Sequence, residues 1–159
     1  MKISIRKGIG FGLTSGIITT LGLIVGLNSG THSKLIVLTG IFTIAIADAF
    51  SDAFGVHISE ESGRKNITKK EIWESSITTF LSKLFFALTF LIPVLLLNLK
   101  TSIIVSIIWG LFLITLFSYY ISKKHKTSTL KAIFEHLLIT LLVIFITNFV
   151  GIFISNLFS

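Results

Sequence analysis

Two aspartates stand four residues apart in an otherwise apolar stretch of the chain, residues 35–58. They are Asp48 and Asp52, and this spacing puts both side chains on one face of a helix. A carboxylate at the centre of a bilayer costs about 2.5 to 3.5 kcal/mol on insertion scales. In proteins that cross a membrane, such residues therefore mark ion sites, proton sites or charged partners. The composition decides whether this chain is such a protein.

Apolar residues dominate the composition. They make up 52% of the 159 residues, charged residues only 13%, and the mean hydropathy is +0.92. This balance excludes an ordinary soluble domain and indicates an integral membrane protein. Because cysteine is absent, disulfides and thiolate metal sites are excluded, and any metal ligand must be oxygen or imidazole. No catalytic nucleophile, dyad motif or metalloprotease spacing is present, so we expect the protein not to be an enzyme.

Apolar runs of about 20 residues predict the membrane-spanning helices. The predicted spans are approximately 8–28, 34–58, 76–98, 101–122 and 130–157. The first run lacks a cleavage pattern and is longer than a signal-peptide core, so we expect it in the mature protein. The fold class is therefore an all-α integral membrane protein with a single transmembrane domain of five helices.

The polar segment 60–75 is predicted to be a loop that holds a short amphipathic turn or helix. Glu71 and Glu74 lie three residues apart in it. Carboxylates at this spacing either share a cation or form a solvated face, and the sequence leaves both interpretations open.

Basic residues are distributed unevenly among the connections. Three precede the first span, four lie between the second and third spans, and four lie around the start of the fifth, which gives 11 of the 14 on one side. Lys34 and Lys100 lie on the other side, and Lys83 lies inside a span. The positive-inside rule predicts a cytoplasmic N-terminus and an external or lumenal C-terminus. The net charge of +7 thus reflects topology and attraction to anionic lipid rather than nucleic-acid binding.

Glycine recurs at every fourth position in two runs of the first span. The first run is Gly8, Gly12 and Gly16, and the second is Gly22, Gly26 and Gly30. Such runs let helix backbones approach closely. Either one run contacts a partner subunit and the other a neighbouring helix, or both pack within the chain. Since a closed path is easier to build between two chains than from five helices, we predict a homodimer.

Polar residues at similar depth suggest a site around the two aspartates. Ser15 and Lys83 share the level of Asp52, about 10 Å from the cytoplasmic ends of the spans. In a functional interpretation, Asp48 and Asp52 bind a divalent metal such as iron, manganese or zinc. The possible helper ligands are Ser15, Thr19 or Thr20, Glu135, and His57 or His136.

A structural interpretation competes with this one. Lys83 can neutralise Asp52 in a buried ion pair, as intramembrane charges usually pair, although a transporter can also use such a pair. Asp48 has no lysine at its own depth, so it is the stronger ligand candidate. His136 beside Glu135 is a candidate for proton relay. Pro93 is predicted to kink the third span.

Residues 10–27 and 47–62 resemble the vacuolar iron transporter family. The matching positions are Gly16, Thr19, Thr20, Gly26, Asp48, Ser51, Gly55 and Ser59. Residues 128–151, with ITNFVG at their end, are similar to the last span of the family. Ser15, Asp52 and Val56 stand where the family has aspartate, methionine and glutamate. The segment 60–75 is too short for the glutamate-rich cytoplasmic domain of longer members.

The resemblance implies a five-span homodimer that moves Fe²⁺ or Mn²⁺ out of the cytoplasm in exchange for protons. The metal is then the substrate, and no prosthetic group is expected. The expected partners are a second copy, the lipid bilayer, metal ions and protons. The lysine- and isoleucine-rich chain favours a prokaryotic cell membrane, with a vacuolar or other organelle membrane as the alternative. The alternative function is a non-transporting membrane scaffold or accessory protein with a structural pair of Asp52 and Lys83.

Overall fold

The computed structural model describes residues 2–63, 67–125 and 128–158, and within them every regular element is a helix. The elements are α1 (Ile3–Thr31), α2 (Lys34–Gly63), α3 (Lys69–Thr89), α4 (Leu91–Leu96), α5 (Leu99–His125) and α6 (Thr129–Phe158). Five segments are long and apolar enough to cross a membrane, with α3 and α4 forming one of them over Lys69–Leu96. The predicted all-α class is confirmed, and so is the predicted number of helices that are long and apolar enough to span a membrane.

Side-chain caps lie at the starts of α2, α3 and α5. Ser33 Oγ accepts from the N–H of Ile36 at the start of α2, and Asn98 Oδ1 accepts from the N–H of Thr101 at the start of α5. At the start of α3, Thr68 and Glu71 form a reciprocal capping box. These caps satisfy backbone N–H groups that have no partner inside the helix.

Residues 60–63 and 69–75, which were predicted to belong to a loop, are helical. The helix α2 continues to Gly63, and α3 already begins at Lys69. The capping box at Thr68 is the physical reason, because it stabilises the helix start well before the apolar run begins. Residues 64–66 lie outside the described part.

The third span, in which Pro93 was predicted to cause a kink, is interrupted just before this proline. Proline has no N–H to donate to the carbonyl of Thr89, and its ring clashes with that carbonyl in a regular helix. The helix α3 ends at Thr89, the N–H of Phe90 donates to Ala87 O at 3.2 Å, and α4 begins at Leu91.

The chain divides into two compact units. The first consists of Met1–Thr20 and Ile41–Phe90, and the second of Leu21–Gly40 and Leu91–Ser159. In the first unit, α1 contacts α3 from Glu74 near its start to Lys83 further along, so the two helices run parallel. Serine hydroxyls join them, since Ser75 Oγ donates to Ser4 O at 3.1 Å.

Gly8, Gly12 and Gly16 form the α1 side of the packing in the first unit. A Cβ atom at Gly12 would lie 2.5 Å from Thr79 O, and one at Gly16 would lie 3.0 Å from Lys83 O. Only glycine fits at such short distances from a neighbouring backbone. This run therefore brings the α1 and α3 backbones together.

Gly22, Gly26 and Gly30 pack against α6 in the second unit. Cβ atoms at Gly26 and Gly30 would lie 3.3 Å from the carbonyl oxygens of Thr147 and Gly151. Both glycine runs thus pack within the chain, which is one of the two interpretations of their spacing. The homodimer itself stays a prediction.

Mostly small residues form the buried face of α5. At every fourth position along this helix the residue is buried, and the row is Ser102, Ser106, Gly110, Ile114, Ser118 and Ser122. Large apolar side chains cover the remaining faces of the helices, and in α6 only Thr140 and Gly151 are buried among the described residues. An apolar exterior of this kind is what a lipid environment requires.

Candidate functional site

The ammonium group of Lys83 is the centre of the candidate site. Its side chain is only 1% exposed, and Nζ donates to Ser15 Oγ at 2.8 Å and to Asp52 Oδ2 at 2.5 Å. Asp48 Oδ2 also lies 2.5 Å from the same nitrogen. We call these four residues, Ser15, Asp48, Asp52 and Lys83, the carboxylate–lysine cluster. The prediction that Lys83 pairs with Asp52 is confirmed.

The prediction that Asp48 lacks a cationic partner is wrong. Asp48 and Asp52 lie one helical turn apart, about 6 Å along α2, and the lysine stem places its nitrogen within reach of both. Depth counted along the backbone misses this, because a lysine nitrogen lies several ångströms from its own Cα. The Asp48 contact has ion-pair distance without hydrogen-bond geometry, so Lys83 holds Asp48 by charge and Asp52 by charge and a hydrogen bond.

Glycine makes room for the lysine stem against α1. A Cβ atom at Gly16 would lie 3.2 Å from Lys83 Cα and 3.3 Å from Lys83 Cγ. A larger residue would therefore displace α3 and move the ammonium group away from Ser15. The spacing of Gly12 and Gly16 is thus a condition for the hydrogen bond between Lys83 and Ser15.

The cluster carries an uneven formal charge. Two ionised carboxylates and one ammonium group sum to −1, while the lysine is almost fully buried. A net charge is expensive in a medium of low dielectric constant. One further positive charge, either a proton on a carboxylate or a bound cation, makes the cluster neutral. This arrangement can therefore hold an exchangeable positive charge.

A cavity of about 640 Å³ connects Asp52 with one end of the first unit. Ser51, Gly55 and Ser59 line it on α2, and at its far end Lys7 and Glu60 form an ion pair at 2.9 Å. We call this cavity the polar groove. Glu60 follows Asp52 by eight residues, so the groove is about 12 Å long.

His57 lies outside the carboxylate–lysine cluster, contrary to its prediction as a helper ligand. Its Nδ1 lies 3.2 Å from Ser76 Oγ, and its ring contacts Trp73 edge-on with the centroids 4.8 Å apart. In helix α2 His57 follows Asp52 by five residues, which turns its side chain towards another face.

Glu135 and His136 have their contacts within the second unit. The Glu135 side chain is 56% exposed and lies 3.9 Å from Lys131 Nζ, while His136 Nδ1 lies 2.7 Å from Ser118 Oγ. The proton-relay role of His136 stays a prediction.

The two threonines predicted as helpers behave differently from each other. Thr19 Oγ1 donates to Ser15 O at 2.8 Å, so its hydroxyl is used inside α1. Thr20 is fully buried, and its hydroxyl has no hydrogen-bond partner in the described part of the chain.

No three aspartate, glutamate or histidine side chains come close enough together to hold a metal ion in residues 2–63, 67–125 and 128–158. The predicted ligand set is therefore not assembled as a whole. The carboxylates of Glu71 and Glu74 also have different partners: Glu71 caps α3, whereas Glu74 accepts from Lys2 Nζ at 2.6 Å. The solvated alternative suits this pair better than the shared cation.

The ion pair of Lys7 and Glu60 is the site feature that sequence reasoning missed. A pattern for it exists, because Lys7 precedes Ser15 by eight residues and Glu60 follows Asp52 by eight. In antiparallel helices, a contact between Ser15 and Asp52 then brings Lys7 opposite Glu60. The missing element was the pairing of α1 with α2 at that register.

A scan against protein-family models and a search of curated proteins return no match for the chain.

Proposed function

We propose that the protein is a membrane transporter that moves a divalent cation, Fe²⁺ or Mn²⁺, out of the cytoplasm in exchange for protons. The observation that carries the proposal is one buried ammonium group shared by two carboxylates at the inner end of an open groove. The proposal also draws on the family resemblance of residues 10–27 and 47–62. The basic ends of α1 and α3 favour a cytoplasmic opening of the groove.

Charge balance gives the proposed exchange its stoichiometry. Without metal, the cluster is neutral when Lys83 is charged and one of Asp48 and Asp52 carries a proton. With a divalent ion, it is neutral when both carboxylates are ionised and Lys83 has lost its proton. Each metal ion that enters thus releases two protons, one from a carboxylate and one from the ammonium group of Lys83.

Ser15 and Lys83 have distinct roles in this cycle. Ser15 Oγ accepts from the ammonium group and donates to Asp52 Oδ2 at 2.6 Å, so it holds the lysine and this carboxylate together before the metal enters. The two aspartates supply hard oxygen ligands, and water in the polar groove completes the coordination of the ion.

Transport in liposomes tests this function. Purified protein is reconstituted with a metal-sensitive dye and a pH-sensitive dye in the lumen, and Mn²⁺ is added outside. We expect metal influx with proton efflux, at about two protons for each metal ion, as the charge balance requires. Asp48→Asn and Asp52→Asn should abolish the metal flux. Wild-type vesicles without metal flux, or full flux in Asp48→Asn, would contradict the proposal.

Glu135→Gln provides the matched control. It also removes one carboxylate from a predicted membrane span, but this carboxylate is exposed and lies outside the cluster. Its metal flux should equal that of the wild type. Loss of flux in this variant would point to a general effect of charge rather than to the cluster.

A scaffold or accessory role is the second candidate, favoured by the almost complete burial of Lys83 and the use of its donors inside the chain. In this case the wild type transports no metal. Replacing Lys83 by methionine and both aspartates by leucine then leaves folding intact, because apolar residues can replace a buried ion cluster without loss of stability. Metal flux in the wild type that disappears in this triple variant excludes the scaffold role.

A further inference from the structure

A second cavity, of about 460 Å³, lies between α2 and α3 on the first unit. Its walls are mainly aromatic: Phe50 and Phe80 contact each other with ring centroids 4.5 Å apart, and Phe54 and Trp73 extend the surface. We call this cavity the aromatic groove. Its polar groups, His57 and Ser76, already bind each other. The groove therefore offers a mainly apolar slot.

Two charged residues of opposite sign flank one end of the aromatic groove. The helices α2 and α3 run antiparallel, since His57 contacts Ser76 whereas Phe50 contacts Phe80. One turn beyond His57 on α2 is Glu61, and one turn before Trp73 on α3 is Lys69. Both lie at the same end of the groove and are exposed, and neither forms an ion pair with another described residue.

We propose that the aromatic groove binds a phospholipid with a phosphoethanolamine headgroup. One acyl chain occupies the groove, which is about 10 Å long from Phe50 to His57. The phosphate lies at Lys69 and the ammonium group at Glu61, so each of these two exposed charges has a partner of opposite sign. A headgroup that carries only negative charge leaves Glu61 facing a phosphate without compensation.

Trp73 fits this assignment because tryptophan prefers the boundary between lipid tails and headgroups. It lies between the charged end of the groove and its phenylalanines. The proposal depends on insertion of the protein in a membrane but not on metal transport, so it can fail while the transport proposal holds.

Tryptophan quenching by brominated lipid tests the proposal. The chain has two tryptophans, and Trp109→Phe leaves Trp73 as the only one. This variant is placed in vesicles that contain equal small amounts of either phosphatidylethanolamine or phosphatidylglycerol brominated in the acyl chains. We expect the ethanolamine lipid to quench Trp73 at a concentration about fivefold lower, the factor that a favourable exposed ion pair provides. Glu61→Gln with Lys69→Gln should remove the preference while quenching by both lipids remains.

The matched control is Trp73→Phe, which reports from Trp109 in α5, outside the groove. Both brominated lipids should quench it equally. Equal quenching of Trp73 by the two lipids, or stronger quenching by the glycerol lipid, overturns the proposed headgroup. Protection of Trp73 from both lipids overturns the proposal and indicates that a second copy of the chain covers the groove.

Discussion

In the first unit Gly12 and Gly16 bring α1 close to Lys83 on α3, whereas in the second unit Gly26 brings α1 close to Thr147 on α6. The same helix and the same four-residue spacing thus create two close contacts with different chemistry. In one, an ammonium group is shared between carboxylates. In the other, only backbone, methyl and hydroxyl groups meet. The glycine spacing determines how closely the helices approach, and the residue opposite the glycines determines what the contact can do.

The two units also differ in the interactions that join polar side chains of different helices. In the first, Lys83 joins three oxygen atoms from two other helices. In the second, Ser29 donates to Asn148 in a neutral pair. Removing Lys83 from the first unit should therefore leave uncompensated carboxylate charge. Removing Asn148 from the second unit should cost only one hydrogen bond.

Replacing Lys83 by methionine should have the largest effect. It leaves Asp48 and Asp52 close together without a cation, and breaking a buried ion pair in this way costs about 3 to 5 kcal/mol. The free energy of unfolding in mixed micelles, followed by circular dichroism, measures the loss. The isosteric replacements Asp48→Asn and Asp52→Asn in the same chain should recover most of it. A Lys83→Met protein as stable as the wild type would show that the carboxylates need no cation.

Alanine at the two glycine runs compares the contacts directly. Gly12→Ala places a Cβ atom 2.5 Å from Thr79 O and should cost about 1 to 3 kcal/mol, the range for overpacking. Gly26→Ala, at 3.3 Å from Thr147 O, needs a much smaller shift and should cost less.

Gly55→Ala is the control for the glycine series, because a Cβ atom there meets nothing within 4 Å. Its stability should equal that of the wild type or exceed it, since alanine favours a helix over glycine. The same unfolding measurement applies to all three variants. An equal loss at Gly12 and Gly26 would refute the idea that the distance from the added Cβ atom to the facing backbone sets the cost.

The fold class and the five spans could be predicted because runs of apolar residues report directly on membrane-spanning helices. The helix starts were harder. The α3 start depends on the capping box of Thr68 and Glu71, a local signal that was present in the sequence but lay in a segment too polar to be assigned to the span.

The candidate site was predicted in part, because depth along a helix can be counted but the rotation of one helix towards another cannot. Counting placed Ser15, Asp52 and Lys83 at one level, and the structure brings them together. Counting also placed His57 and Glu135 nearby, although His57 turns to another helix face and Glu135 is exposed. The pairing of Lys83 with Asp48 depends on the reach of the lysine side chain, which Cα depth omits.

Asn148→Ala, in the second unit, should have the smallest effect of the series. Hydrogen bonds between membrane helices are worth about 0.6 kcal/mol on average and at most about 1.7. Ser29 can also turn its hydroxyl to a carbonyl of its own helix once Asn148 is absent, which limits the loss. A double-mutant cycle of Ser29→Ala and Asn148→Ala in micelle unfolding should give a coupling energy in this range. A coupling as large as the Lys83→Met loss would mean that the neutral contact holds its helices as strongly as the charged one, and that the residue opposite the glycines does not decide the energetics.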